Sequence, residues 1–460
     1  MKPLNLLDIA KVVKGTLTSY KCTQITGIST DSRTMRKGNL FFPLTGTNFD
    51  GHDFIAEAFK RGASASLCSK DKREKVINLV DNKNIIFVDD VLDALLALAE
   101  YYRSFFDIPF IAVTGSVGKT TTKDLIASVL GTRFNVLKTH GNYNNEIGLP
   151  LTLFKLEPKH EICVVEIGMS GFGEIRRLAN IVKPCVSVIT NIGIAHIEKL
   201  GSKENIAAAK MEILEPLKDG LAVLHADSPE LWKMQGRSSF RVVYFGLKHG
   251  DLIAKNTELK DNMQIFETTG KYGNHTFQMQ VPGAHNVSKA LAAIIVGYEH
   301  GLSTEEISQG LLTFRQYKMR LEQKTARTGA IIIDDTYNAS PDSMRVAIDM
   351  LFQKGINRKK AAILGDMLEL GDYSEAAHFS IGNYVSDKTD LLVAVGKYSK
   401  YLAEGALKGR LKKQNIHVFN TPEEGLKHVG DLVKESDVIL IKASRGLRLE
   451  RFVQLLTGGS

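Results

Sequence analysis

Nine residues, Val113-Thr-Gly-Ser-Val-Gly-Lys-Thr-Thr121, constrain this chain more than any others. They follow an apolar run over residues 108–114 and open residues 119–130, whose apolar positions recur at helical spacing. A strand that turns through glycines into a helix is the setting of a phosphate-binding loop. Gly115 and Gly118 let the backbone approach an anion, the amides of the helix N-terminus point at it, and the helix dipole assists. Lys119 would reach the terminal phosphates and the Thr120 hydroxyl would ligate Mg²⁺. Gly115, Ser116, Val117, Gly118, Lys119, Thr120 and Thr121 are therefore the expected nucleotide contacts. The loop departs from the common Gly-x-x-x-x-Gly-Lys-Ser/Thr form, because Val113 stands where the first glycine would fall.

The loop sits in a longer series. Apolar runs at 162–167, 186–190 and 221–224 alternate with helical segments, which predicts βαβ units and a mostly parallel sheet. Residues 251–282 alternate weakly between Gly and Asn turns and predict antiparallel strands. A helix is expected over 285–298. A second doubly wound unit is expected from four further runs, 330–334, 361–364, 391–395 and 438–441. Residues 1–88 form a small α/β unit with strands at 39–44 and 85–88. The fold class is thus α/β in three domains, with boundaries near 88 and 315. At roughly 100–200 residues per domain, 460 residues accommodate three.

Composition narrows the partners. Net charge is +8, yet no long Lys/Arg block or aromatic-basic motif occurs, so anionic small molecules are expected rather than nucleic acid. No run of 18 apolar residues appears, so no membrane span is expected. The N-terminal segment lacks an apolar signal core, which points to the cytoplasm. Of four cysteines, none forms a Cys-x-x-Cys pair, and Cys163 and Cys185, inside apolar runs, are expected in the core.

Other residues near the loop have chemistry of their own. Glu166 ends the run 162–167, and strand C-termini in such sheets face the ligand crevice, where a carboxylate beside a phosphate loop can hold Mg²⁺. The variant TGSVGKTT loop resembles that of the Mur ligase and folylpolyglutamate synthase superfamily. The resemblance extends to Asn191-Ile-Gly-Ile-Ala-His196, where it implies a His that helps bind a second Mg²⁺. In Ala207-Ala-Ala-Lys210-Met-Glu212 it implies that Lys210 becomes a carbamate with CO₂, an anionic oxygen ligand for metal. In Gly141-Asn-Tyr-Asn-Asn145 it implies an Asn near the γ-phosphate, with Asn145 and Asn144 both candidates. Gly283-Ala-His285-Asn286 resembles the adenine-contacting segment, although Asn286 could instead cap the helix it opens. Arg320 and Asp335 match residues that meet the nucleotide from the third domain. The implied catalytic and metal set is Lys119, Thr120, Glu166, His196 and Lys210, with ATP and two Mg²⁺ ions.

The outer segments separate the branches of the superfamily. Asp31-Ser32-Arg33, Gly38–Gly46 and Thr47-Asn48 resemble a UDP-binding domain, which folylpolyglutamate synthases lack. Asp334-Asp-Thr-Tyr-Asn338-Ala-Ser340-Pro341, the segment 363–371 and Lys442-Ala-Ser-Arg-Gly446 resemble the D-alanyl-D-alanine-adding branch. Ala443 replaces a more usual glycine. No Asn/Asp-Pro-Arg selector of the third-residue-adding branch is present. The resemblance implies a UDP-binding domain over 1–88, a central ATP-binding domain over 89–315 and a C-terminal Rossmann-like domain over 316–460. It implies an ATP-dependent ligase that joins D-alanyl-D-alanine to UDP-N-acetylmuramoyl-tripeptide through an acyl phosphate, in peptidoglycan synthesis. Ser32, Arg33, Thr47 and Asn48 would bind the UDP substrate, and Asn338 and Ser340 the dipeptide. A monomer is expected. A third-residue-adding ligase or a folylpolyglutamate synthase-like ligase is the alternative.

Overall fold

The computed structural model describes residues 1–18, 23–78, 82–236, 238–261, 263–316 and 318–458; Cys22 and Tyr317 lie outside them. Three sheets follow one another along the chain. The first has five strands in the order Thr16–Leu17, Ile85–Val88, Ala65–Ser69, Asn39–Phe41, Gly27–Ser29, parallel except for the first pair. A helix, α1 (Val91–Arg103), follows it.

The second sheet has nine strands and carries the glycine loop. The strand that leads into the loop is β1 (Phe110–Thr114), followed by α2 (Lys119–Leu130). On either side lie β2 (Ile162–Glu166) and β3 (Val186–Ile189), both parallel to β1. Glu166 is level with Val113 and Ile189 with Thr114, so three chain segments leave the sheet at one edge. Next come the helices α3 (Lys203–Met211) and α4 (Ala284–Glu299). The strands at 252–279 form the expected antiparallel hairpins at the far edge. Two members were not anticipated: the short edge strand Val136–Lys138, and Arg241–Gly246.

Burial on both faces explains why β1 reads as an unbroken apolar run. Ile111 and Val113 pack with Leu125, Ile126 and Val129 of α2 and with Leu291 and Ile294 of α4. Phe110 and Ala112 pack on the opposite face, in the cluster that holds Leu95, Leu98 and Tyr102 of α1. Each such fully buried aliphatic side chain contributes about 1.5–3 kcal/mol. Cys163 is buried as expected, but Cys185 is exposed. It precedes β3 at the sheet's entry edge, where the apolar run has not yet entered the core.

The third sheet has six strands. Five are parallel, including β4 (Ile331–Asp335) and β5 (Val438–Lys442), which pair with each other, and Glu322–Thr325 runs antiparallel at the edge. Between β4 and the remaining strands lies α5 (Pro341–Lys354). The strands Glu322–Thr325 and Ile416–Phe419 were not anticipated, since both are partly exposed edge strands with charged or polar members. Among the described residues no helix is long and apolar enough to cross a membrane.

Candidate active site

The loop from β1 to α2 turns on two glycines with positive φ, Gly115 at 148° and Gly118 at 88°. A Cβ on Gly115 would lie 1.9 Å from the Thr190 hydroxyl, so neither the conformation nor the space admits a side chain. The segment after β3 braces the loop. Asn191 Oδ1 accepts from the Val117 amide at 2.9 Å, the Thr190 hydroxyl donates to the Val117 carbonyl at 2.7 Å, and the Gly193 amide donates to Ser116 Oγ at 2.8 Å. No side chain caps α2, which leaves its first amides for an incoming anion. Thr120 and Thr121 occupy this first turn and are buried. The Lys119 amine, which burial and Arg320 lower in pKa against the pull of Glu166, donates to the Gly115 carbonyl at 2.8 Å.

Glu166 is buried at the end of β2. Asn144 Nδ2 donates to its Oε1 at 2.7 Å, while Oε2 is buried without a hydrogen-bond partner. An orphaned carboxylate oxygen is costly and fits a cation. Asn145 does not take this position: its side-chain oxygen accepts from the Gly148 amide at 2.8 Å, at the first residue of the helix Gly148–Leu153. His196, with a positive φ of 66°, directs Nδ1 to Glu369 Oε2 at 2.6 Å, which lowers the Glu369 carboxyl's pKa. Glu369 belongs to the third sheet's loops and has a positive φ of its own, and nothing in the sequence pairs it with His196. That contact leaves Nε2 of His196 for another ligand.

Lys210, on α3, is 1% exposed and has no hydrogen bond or ion pair among the described residues. Burial, then the nearby Lys119, push its amine well below the usual lysine pKa. A neutral amine is the form that adds to CO₂. Among the described residues no three His, Cys, Asp or Glu side chains converge as a metal cluster. A metal here would therefore draw on the Thr120 hydroxyl, the free Glu166 oxygen, His196 and a modified Lys210 together.

Asn286 is buried near the start of α4 but does not cap it. Its Nδ2 donates to the Pro282 carbonyl at 2.8 Å, and its Oδ1 accepts from the Lys289 amine at 3.0 Å. Burial pushes the neighbouring His285 well below the usual histidine range, and its Nε2 has no partner. Lys289, which sequence reading did not single out, lies against Gly118: a Cβ there would be 2.7 Å from Lys289 Cε.

The third sheet reaches the loop through Arg320. Its Nη2 donates to Thr120 Oγ1 at 3.2 Å, and its guanidinium lies 4.0 Å from the Tyr337 ring centroid. Met319 and Leu321, on either side, hold positive φ of 63° and 53°. Such strain persists only where surrounding contacts fix it; here the Leu321 amide donates to Asp335 Oδ1 at 3.1 Å. Asp335 Oδ2 meets Lys442 at 2.5 Å, so Asp335 holds the arm that carries Arg320. Asn338 is exposed, and its carbonyl accepts from Lys442 at 2.7 Å. Ser340 is the N-cap of α5. Asp342, also unanticipated, has a buried Oδ2 with no partner, close to where a Cβ on Gly193 would sit.

In the first sheet, the segments holding Ser32–Arg33 and Thr47–Asn48 follow the C-terminal ends of two paired parallel strands, Gly27–Ser29 and Asn39–Phe41. That edge is where ligands bind in open α/β sheets. Ser32 is buried, Arg33 is fully forked onto Asp31, and Thr47 and Asn48 are exposed beside the exposed ring of Phe49.

A glycine loop whose lysine folds back on its own carbonyl, an orphaned carboxylate and an unpaired buried amine together suit a nucleotide-using centre. The chain matches the Mur ligase family catalytic domain over residues 24–103, the Mur ligase middle domain over 113–297 and the Mur ligase glutamate ligase domain over 319–445. It belongs to the Mur ligase family of ATP-dependent ligases. Among curated relatives, the UDP-N-acetylmuramoyl-tripeptide–D-alanyl-D-alanine ligase of Bacillus subtilis is 41% identical over 452 residues, 97% of each chain. A crystal structure of MurF from Acinetobacter baumannii superposes with a TM-score of 0.90 at 31% identity, covering 100% of this chain and 99% of that one. MurF ligase from Thermotoga maritima in complex with ADP gives 0.81 at 30% identity, covering 94% and 97%.

Proposed function

We propose that this chain joins D-alanyl-D-alanine to UDP-N-acetylmuramoyl-tripeptide at the expense of ATP, releasing ADP and phosphate, in peptidoglycan synthesis. The observation that carries the reading is the end-to-end match to the ligase of that name from B. subtilis. It takes in the two outer sheets, which must bind the two peptide substrates, as fully as the shared nucleotide loop.

The tripeptide's terminal carboxylate attacks the γ-phosphoryl group, giving an acyl phosphate and ADP. The free amine of the dipeptide then attacks the acyl carbon, phosphate leaves, and an amide remains. The loop amides and Lys119 hold the phosphates and offset the charge that spreads during transfer. Arg320, braced by Asp335 and Tyr337, adds a second positive group at Thr120. Asn144 orients Glu166. Mg²⁺ when bound would neutralise phosphate charge, with Thr120 and Glu166 suited to one ion, and His196 and a carbamylated Lys210 to a second. Asn286 fits the adenine end, and Ser32, Arg33, Thr47 and Asn48 the UDP end. Asn338 is the polar side chain free to meet the dipeptide; Ser340 serves it by fixing the start of α5. Contact of the third sheet with the loop keeps water from the acyl phosphate. We assign the substrate units to residues 1–88, 89–315 and 316–460. We take the working form to be a cytoplasmic monomer.

The test is ATP-dependent phosphate release. Release that needs both UDP-N-acetylmuramoyl-tripeptide and D-alanyl-D-alanine, with a product heavier by the dipeptide residue, is expected. Turnover with folate and glutamate, or with a single amino acid and the UDP-linked dipeptide, would move the chain to another branch.

A further inference from the structure

We propose that Lys289 is a phosphate-binding residue of the nucleotide site, acting with Lys119 and Arg320. The inference rests on ATP use by this chain and goes beyond the loop itself. Three observations meet at this side chain. Its methylenes lie on Gly118, the residue that turns the loop into α2, with Cε 2.7 Å from where a Cβ would stand. Its amine is tied only to a neutral acceptor, Asn286 Oδ1 at 3.0 Å, and no carboxylate pairs with it among the described residues. Asp335 attracts it from a distance but is already engaged by Lys442 and the Leu321 amide.

The surroundings are positive. Burial and Arg320 lower the Lys289 amine to about 7 against the pull of Asp335, and His285, on the same helix turn, is held neutral. Arg320 likewise depresses Lys119. Arg320 thus repels both lysines gathered at one glycine loop. A purely structural lysine has a carboxylate partner, as Lys442 does. Lys289 has a neutral tether that aims it and leaves its charge unmatched. An anion arriving at the loop amides relieves this repulsion, and its negative charge restores the proton on Lys289. Asn286 then has two tasks: it ties the start of α4 and sets the direction of the amine.

The test uses ADP and adenosine with the full chain, without peptide substrates, so it can fail while the ligase assignment stands. Binding of ADP to the unmodified chain is measured first and checks the nucleotide reading itself. Lys289→Met keeps the stem that packs on Gly118 and removes the charge. It should weaken ADP at least tenfold and leave adenosine within twofold, while Lys289→Arg should keep ADP within about threefold. Unchanged ADP affinity in Lys289→Met would overturn the proposal. So would equal weakening of ADP and adenosine, which would place the residue's effect in the adenine pocket or in the fold. Thermal unfolding of each variant confirms that a folded chain is being compared.

Discussion

Lys210 beneath the nucleotide loop and Lys442 in the third sheet are buried to the same degree, each 1% exposed. Burial lowers the pKa of both. What differs is company. Lys442 meets Asp335 Oδ2 at 2.5 Å and the Asn338 carbonyl at 2.7 Å. It remains a cation whose work is mechanical, fixing the carboxylate that steadies Arg320. Lys210 has no polar partner among the described residues and faces another lysine. A cation there has nothing to offset its desolvation, which favours the neutral amine. Burial alone does not decide a lysine's charge; burial without a counter-charge weighs against it.

The largest expected effect tests the unpaired member. Lys210→Ala should lose at least about a hundredfold in phosphate release, the scale seen when a single charge-stabilising group is removed. Added bicarbonate should not restore it. In CO₂-depleted buffer, Lys210→Met should be as stable as the unmodified chain or more so. Its depressed pKa means the unfolded chain binds the extra proton, so protonation favours unfolding at every pH below the free lysine value. Near-normal turnover by either variant would remove the reactive half of the contrast.

Lys442→Met should act in the opposite sense, lowering stability by about 3 kcal/mol because Asp335 is left buried and uncompensated. Guanidinium unfolding measures it, and equal stability loss in Lys210→Met and Lys442→Met would erase the distinction. Next in size is an ordinary pair outside the site. Burial raises the Asp50 carboxyl, but hydrogen bonds from the His52 amide and ring outweigh it and bring the group down to about 2. The folded value lies below the unfolded one, so this stability is complete above about pH 4 and is lost as pH falls toward 2. Asp50→Asn should therefore remove about 2 kcal/mol at neutral pH and flatten that acid window. The smallest effect concerns Asn144 and Asn145. Asn144→Ala should slow phosphate release about tenfold with little change in stability, whereas Asn145→Ala, which loses a hydrogen bond to the Gly148 amide, should cost about 1 kcal/mol of stability.

The glycine loop, its strand and its helix were legible because every determinant lies within nine consecutive residues and follows from local sterics. The parallel strands were legible because burial on both faces leaves an unbroken apolar run. Edge strands such as Val136–Lys138 and Glu322–Thr325 lack that signature. At the site, Lys119, Glu166 and the segment leading to His196 could be found from their place after strands. Glu369, Asp342 and Lys289 could not: each draws its meaning from a partner that only folding brings near. Asn144 and Asn145 are adjacent in sequence and equivalent in chemistry, and only the turn at 141–147 decides which one faces Glu166. Lys289 left one local trace, an Asn three residues earlier on the same helix face.

The third sheet touches the nucleotide sheet through Arg320 on Thr120 and through Glu369 on His196. They also meet where Asp342 lies against Gly193 and where Gly371 lies against Glu198. Any swing that separates the two sheets must break all of these contacts. Two of them fall on Thr120 and His196, within the candidate site. Parting the two sheets and exposing the candidate site are thereby a single event.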